Sequence, residues 1–292
     1  MTKYCAISKE LERAVSLGRA TRCNADIYAV DGGISPAVLA EICRLRKESY
    51  EGVGVELDDG TMGSNADRDG TYRQLIVWDR ERGEIMGGYR YAVGRDVGAE
   101  RLSLSRYMVL SDAFVKEYLP RGIELGRSFV SPHYQSGGNA LTIYALDALW
   151  EGLARVVKRE STEYLFGRVT LYDSLGAKAR NMLVGYMQHT SPIGERLMVA
   201  REPFRAGLSR RRYSEIFMGN TAQENYRILL SQMRQMAKRI PPIISSYLHL
   251  SPMLKLFDSY KNRDLNGVVE SAIMLTISEF YDSIKSRYGL HK

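Results

Sequence analysis

Hydrophobic and polar positions along the chain change their period several times, and the changes mark its elements. Ser8–Ala20 predicts a short polar helix, and Asp26–Val30 predicts a small strand closed by Asp31-Gly32-Gly33. Ser35-Pro36 supplies a cap and an N1 proline, and Val38, Leu39, Ile42 and Leu45 recur at helical spacing, so a helix is predicted from there to Glu51-Gly52. Residues 52–70 are rich in Gly and Asp and read as a loop. Tyr72–Trp78 and Ile85–Val93 are β-rich runs joined by the polar stretch Asp79–Glu84, which predicts a hairpin. Ser111–Leu119 reads as a helix ended by Pro120.

The stretch Ile123–Trp150 organises the middle of the chain. Ile123–Val130 alternates apolar with small or charged residues and stops at Ser131-Pro132, as a strand does where proline removes a donor. Ser136, Gly137 and Gly138 then form a glycine turn, with Asn139 near the N-cap of an apolar helix reaching Val157. Asp147, Glu151 and Arg155 make the single polar stripe of that helix. A turn of this kind gathers unpaired N–H groups at the positive end of a helix, which suits a phosphate or pyrophosphate. Beyond it, Tyr164–Tyr172 predicts a strand, Gly176–Gln188 a helix and Arg196–Ala200 the last strand of the core. Gln223–Arg239 is helical until Pro241-Pro242, and Gly267–Ile277 reads as a strand before a terminal helix. The expected division is an N-terminal segment 1–33, a core 34–200 and a C-terminal extension 201–292 packed on that core.

Composition narrows the class. A chain of 292 residues, 45% hydrophobic and 26% charged, buries one large core or two modest ones. It has no uninterrupted apolar run of about 18 residues and no apolar leader, so a cytoplasmic protein is expected. Cys5, Cys23 and Cys43 lack metal-ligand or disulfide spacing and read as reduced thiols. Asn65-x-Asp67-x-Asp69-Gly70 imitates half a calcium loop, but its twelfth position is Ile76, so no metal is expected. There is no G-x-S-x-G, H-E-x-x-H or Walker pattern, and His133, His189, His249 and His291 share no spacing. The net charge of +7 favours an acidic partner: a phosphate-bearing cofactor, an acyl carrier protein, an anionic membrane surface or nucleic acid. For nucleic acid, no RRM, helix-turn-helix or zinc pattern adds support. Arg201, Arg205, Arg210, Arg211 and Arg212 face the lone acid Glu202, as a docking patch or as a solvated loop.

Gln135, Gly138 and Ala140 fit the Q/R-x-x-G-x-G/A spacing of the acyl-CoA N-acyltransferase (GNAT) superfamily. The words ELGRSFVSPHYQ (124–135), QLIVWD (74–79), IMGGYRY (85–91), LFGRVTLY (165–172) and IPPIISSYLHLSP (240–252) resemble the bacterial N-acyl amino acid synthases of glycine-lipid and ornithine-lipid synthesis. Arg44-Leu45-Arg46 looks like the L-R word of that family's first core helix. The resemblance runs from Leu45 to the C-terminal region and leaves the stretch before Pro36 uncovered. It implies an α/β (α+β) GNAT fold, a mixed central sheet flanked by helices. It implies transfer of a long fatty acyl group from acyl-ACP or acyl-CoA, a substrate and not a permanent cofactor, to the α-amine of an amino acid. A short-chain GNAT acetylating a small amine is the alternative.

Such a transfer needs a neutral amine, donors for the oxyanion and a proton for the departing thiolate, with no ester on the enzyme. Glu124 is the expected base or amine-orienting acid, on one strand face with Gly126, Ser128 and Val130; the bland alternative is an ion pair with Arg121 or Arg127. By the resemblance, Glu124, Arg127 and Ser128 lie by the thioester, and the backbone of Ser128, Phe129 and Val130 serves pantetheine or the oxyanion. Gln135, Ser136, Gly137, Gly138, Asn139 and Ala140 would hold the pyrophosphate. Arg90 is either a clamp for the acceptor carboxylate or a surface arginine. Tyr172 and Tyr186 are either donors to the thiolate or packing. The Asp-rich loop before residue 70 is expected near the acceptor amine, and a peripheral contact with an anionic membrane is a further expectation.

Overall fold

The structure is a computed structural model and describes residues 3–31, 33–52, 65–135, 140–191, 196–205, 207–265 and 267–291. In chain order the elements are α1 (Lys3–Leu11), β1 (Val15–Arg19), β2 (Ala25–Asp31), α2 (Pro36–Glu51), α3 (Asn65–Arg68), β3 (Arg73–Asp79) and β4 (Glu84–Val93). Then follow β5 (Met108–Leu110), β6 (Gly122–Val130), α4 (Pro132–Gln135), α5 (Ala140–Arg159), β7 (Tyr164–Leu171), α6 (Ala177–Thr190), β8 (Met198–Ala200) and β9 (Pro203–Phe204). The chain ends with α7 (Arg210–Ile216), α8 (Ala222–Gln235), α9 (Pro242–Leu250), β10 (Lys255–Asn262), β11 (Val268–Thr276) and α10 (Asp282–Tyr288).

Among the described residues nine strands form one sheet in the order β1-β2-β3-β4-β6-β7-β11-β10-β9. Its neighbours are antiparallel except β6 and β7, which are parallel. This is the mixed sheet flanked by helices that was expected, and the β3–β4 hairpin lies where its two runs predict.

Two expectations need correction. Only residues 3–11 of the N-terminal stretch are helical, and Val15–Arg19 pairs with β2 as the edge strand of the sheet. An edge strand with mostly exposed side chains carries no apolar period to read. Arg196–Ala200 does not close the core sheet, because β8 pairs with β5 in a separate two-stranded sheet. The edge of β7 is taken instead by β11, paired from Val269↔Leu171 to Thr276↔Tyr164. Residues after 201 thus supply three strands of the main sheet, and residues before 34 supply two.

Each sheet face is buried by a different set. On one, α5 lies across β2, β3 and β4, with Leu149, Leu153 and Val156 in one core cluster with Ile27, Leu75 and Val77. Gly152 permits that approach, since a Cβ there would sit 2.8 Å from Ile27 Cγ2. On the other face, α1 and α2 bring Ile7, Val38 and Ile42 against Val30, Ile76 and Phe129. Farther along, the segment 97–119 brings Leu102, Leu104 and Phe114 against Tyr72, Ala92 and Phe166. The inward positions between these two apolar clusters carry Gln74, Arg90 and Glu124, all buried.

The last paired residues of the parallel ladder are Leu125 and Gly167, and a Cβ on Gly167 would lie 2.2 Å from the Leu125 carbonyl oxygen. Gly167→Ala should therefore cost about 1–3 kcal/mol by forcing the strands apart. Urea unfolding checks this, and an unchanged midpoint would mean that the strands yield freely at that point.

Candidate active site

Pairing between β6 and β7 is confined to Gly122↔Tyr164 through Leu125↔Gly167. Beyond it β6 stays with β4 as far as Val130 while β7 follows β11, so the two strands part and leave an opening inside the sheet. The register of β4 and β6 shifts between Gly88 and Arg90, opposite Arg127, a non-glycine residue at φ 48°. That is a bulge, a device that re-aims a strand. A Cβ placed on Gly126 would meet nothing within 4 Å, so there is open space beside it.

The wall of this opening is β6 backbone. Ser131 N–H donates to Met86 in β4, so alternation turns the N–H and C=O groups of Ser128 and Val130 the other way, into the opening. The carbonyls are met by α2: the Tyr50 hydroxyl donates to Ser128 O at 3.3 Å and Ser49 Oγ to Val130 O at 2.9 Å. Gln135 Nε2 also donates to Val130 O, at 2.5 Å. The remaining donors, the two N–H groups, are what an oxyanion or a pantetheine carbonyl needs. Ser136 to Asn139 lie outside the described residues, and Ala140 opens α5 directly after them.

Below the opening sits Glu124, 2% exposed. Its Oε1 accepts from Ser103 Oγ (2.8 Å) and Leu104 N–H (2.9 Å), and its Oε2 accepts from the Tyr72 hydroxyl and Ser103 N–H (3.2 Å). Burial, and then the adjacent Glu124 charge, push the Tyr72 phenol well up, so it remains a donor. Four donors of the fold fill the carboxylate. This geometry suits a group that anchors the 103–104 turn and Tyr72 better than a base that collects a proton from an amine, the role expected above. Arg121 is not its partner, pairing instead with Glu163 at 3.0 Å.

Around Glu124 runs a belt of charge that the sequence reading missed apart from Arg90 and Arg127. Arg90, 2% exposed and so no surface residue, stacks its guanidinium 4.1 Å from the Tyr72 ring centroid and lies 3.6 Å from Asp67. Asp67 accepts from Gln74 Nε2 at 2.9 Å, and Gln74 Oε1 accepts from Arg46 Nη2 at 2.6 Å. Arg127 belongs to the same group: burial, then the charges of Arg90 and Arg46, push it down to about 10. On the β7 side Arg168 donates to Ser103 O (3.2 Å) and lies 3.2 Å from buried Glu270, which also accepts from Tyr260 and Asn262. A legible signal existed, because Arg46 shares the apolar face of α2 with Ile42 and Leu45, and Gln74 and Arg90 fall at inward positions of apolar strands.

Tyr172 packs with Cys43, Tyr50 and Leu265 around Val268, and burial holds its phenol well above the usual value. Tyr186 is instead a core residue, its ring 5.2 Å from that of Phe217. Burial raises Cys43 and pushes Cys23 up to about 11, so neither is an activated nucleophile. Among the described residues no group of three or more His, Cys, Asp or Glu could hold a metal.

The arginine cluster behaves unevenly. Arg211 and Arg212 share Glu215, Arg201 donates to Ser105 O, and Glu202 pairs with Arg263. Arg205 and Arg210, with Arg196 and Lys255, line a cleft of about 1000 Å³ whose apolar walls include Leu197, Phe204 and Phe257. No helix among the described residues is long and apolar enough to cross a membrane.

The mixed sheet, its internal opening and the β6 backbone that lines it define the class, an N-acyltransferase of the GNAT fold. The acetyltransferase (GNAT) domain profile matches residues 45–145. The chain is 35% identical to the glycine N(alpha)-acyltransferase of Bacteroides thetaiotaomicron over 97% of its own length and 88% of that protein's. It is 31% identical to the glycine N(alpha)-acyltransferase of Phocaeicola vulgatus over 97% of its length and 89% of that protein's. The chain belongs to the family of these bacterial N-acyltransferases. Among solved structures, FeeM, an N-acyl amino acid synthase from uncultured soil microbes, aligns at TM-score 0.35 and 11% identity over 52% of this chain and 74% of that one.

The hydrogen bonds of Glu124 give a test that separates anchoring from proton abstraction. Glu124→Gln sets an amide against at least one fold donor and should lose about 1–3 kcal/mol of stability together with turnover. If the variant unfolds like the parent but turns over at least ~100-fold more slowly, Glu124 is the base after all.

Proposed function

We propose that the enzyme moves a long fatty acyl group from an acyl-carrier-protein or CoA thioester to the α-amine of an amino acid such as glycine or ornithine. The product is an N-acyl amino acid, a lipid or its lyso precursor. The observation that carries this reading is the opening between β6 and β7, where an extended thioester can lie along β6 with its carbonyl oxygen at the N–H groups of Ser128 or Val130. The two relatives are named for glycine's α-amine, which favours an amino acid as acceptor.

In this scheme the neutral amine attacks the thioester carbonyl, the C–N bond forms, and the negative oxygen is held by the backbone donors. Collapse breaks the C–S bond; Tyr172, just past the end of β7, gives its phenol proton to the thiolate and takes up the proton that nitrogen loses. Glu124 acts at one remove, fixing Tyr72 and the 103–104 turn. Gln135 and the turn from Ser136 through Gly138 to Ala140 hold the pantetheine phosphate. Arg196, Arg205, Arg210 and Lys255 present the positive surface that an acidic carrier protein recognises, and the same cations suit an anionic membrane.

Purified enzyme supplied with acyl carrier protein or CoA thioesters and a panel of amino acids should yield an N-acyl amino acid detectable by mass spectrometry. Product from acetyl-CoA and none from long-chain donors would favour the short-chain reading. Reversing Arg205 and Arg210 to Glu should slow the carrier-protein reaction mainly through association, and the deficit should shrink as salt rises. Activity with acyl-pantetheine should hold. Equal carrier-protein rates for the parent and the double variant in lipid-free solution would remove the docking surface.

A further inference from the structure

We propose that Arg46 receives the carboxylate of the acceptor amino acid, so that the enzyme selects amines carrying an adjacent carboxylate and rejects their amides. This deepens the reading that an amino acid is the acceptor and rests on it.

Arg46 has no exposed surface, although it is a charged residue on the apolar face of α2. Its Nη2 donates to Gln74, while its Nε and Nη1 are buried with no hydrogen-bond partner. A guanidinium carries five N–H donors in a rigid fork, and a buried charge with unused donors is costly unless something accepts from it. The side-chain amide beside it is already committed, since Gln74 Nε2 donates to Asp67.

The charge around Arg46 points the same way. Among the described residues, Arg46, Arg90 and Arg127 are grouped around Asp67, which lies 3.6 Å from Arg90. Glu124, the next carboxylate along the belt, has its oxygens filled by Tyr72, Ser103 and Leu104. Burial, and less strongly the charge of Arg90, lower the guanidinium pKa of both Arg46 and Arg127. One incoming carboxylate would relieve both the repulsion and the unused donors, and a fork fits its two oxygens.

The position is also right. The guanidinium carbon of Arg46 lies 5.7 Å from the Phe129 ring centroid, on β6 beside the opening. One turn along α2, Ser49 and Tyr50 hold the carbonyls of Val130 and Ser128. A carboxylate at Arg46 therefore leaves the amine, two bonds away, beside the β6 backbone. The competing source of an anion is the phosphate of the donor's pantetheine arm, and the test separates the two.

The test begins with unmodified enzyme: calorimetric binding of glycine and of glycinamide without thioester, then kinetics with both amines. Glycine should bind and react, with kcat/KM about 10- to 100-fold above that for glycinamide. In Arg46→Gln, glycine KM should rise by a similar factor, the thioester KM should stay near the parent value, and the preference for glycine should collapse. Arg46→Lys, which keeps the charge and loses the fork, should fall between. Equal binding and use of glycinamide by the unmodified enzyme would overturn the proposal without any variant having to fold. A rise confined to the thioester KM would assign Arg46 to the donor phosphate and overturn it too. Selective glycine binding with no acylation would uphold the carboxylate site and sink the acyl-transfer reading alone.

Discussion

β7 can pair on both edges, and its competing partners create the opening. Over four residues it pairs with β6, after which its direction is set by β11, which holds it along its whole length. β6 is bound on its other edge by β4 and turned by the bulge at Arg127. Neither strand can close the gap without giving up a longer ladder. Backbone donors in mid-sheet, which normally must be paired, are thereby kept available. The C-terminal strands are part of this device, since without β11 nothing would draw β7 away.

Buried charge beneath the gap has a cost, and its distribution shows where the fold meets it. Glu124 on β6 and Glu270 on β11 are saturated by donors from Tyr72 just before β3, the 103–104 turn, β7 and β10, so they tie six neighbouring segments together. Such networks fix one arrangement of a core when every member is satisfied. The arginines near α2 are a different case, with repulsion among them and unused donors on Arg46. The unused donors of Arg46 are the part of this belt that the proposed ligand would complete.

Much of this was legible in the sequence, and the limits have physical causes. Period and punctuation place α2, the β3–β4 hairpin, β6 and α5, and alternation puts Glu124 on one face with Gly126. Alternation tells which residues share a face but not what covers it. Glu124 therefore reads as a base, whereas its partners Tyr72 and Ser103 come from segments whose approach only tertiary packing decides. β1 escaped notice because an exposed edge strand has no apolar period, and Arg196–Ala200 was placed in the main sheet because nothing local reveals that β11 arrives first. Arg46 and Asp67 were visible as residues, one in a helix word and one in a false calcium loop. Their meeting through Gln74 depends on three elements at once.

The proposed chemistry runs on a thioester held in the opening between β6 and β7. A crystal structure with a non-hydrolysable acyl-pantetheine analogue tests it most directly. The carbonyl oxygen of the analogue should lie within hydrogen-bonding distance of the Ser128 or Val130 N–H, with its sulfur position between the parted strands. An analogue whose reactive carbonyl lies instead in the cleft of Arg205, Arg210 and Lys255, away from β6, would contradict it.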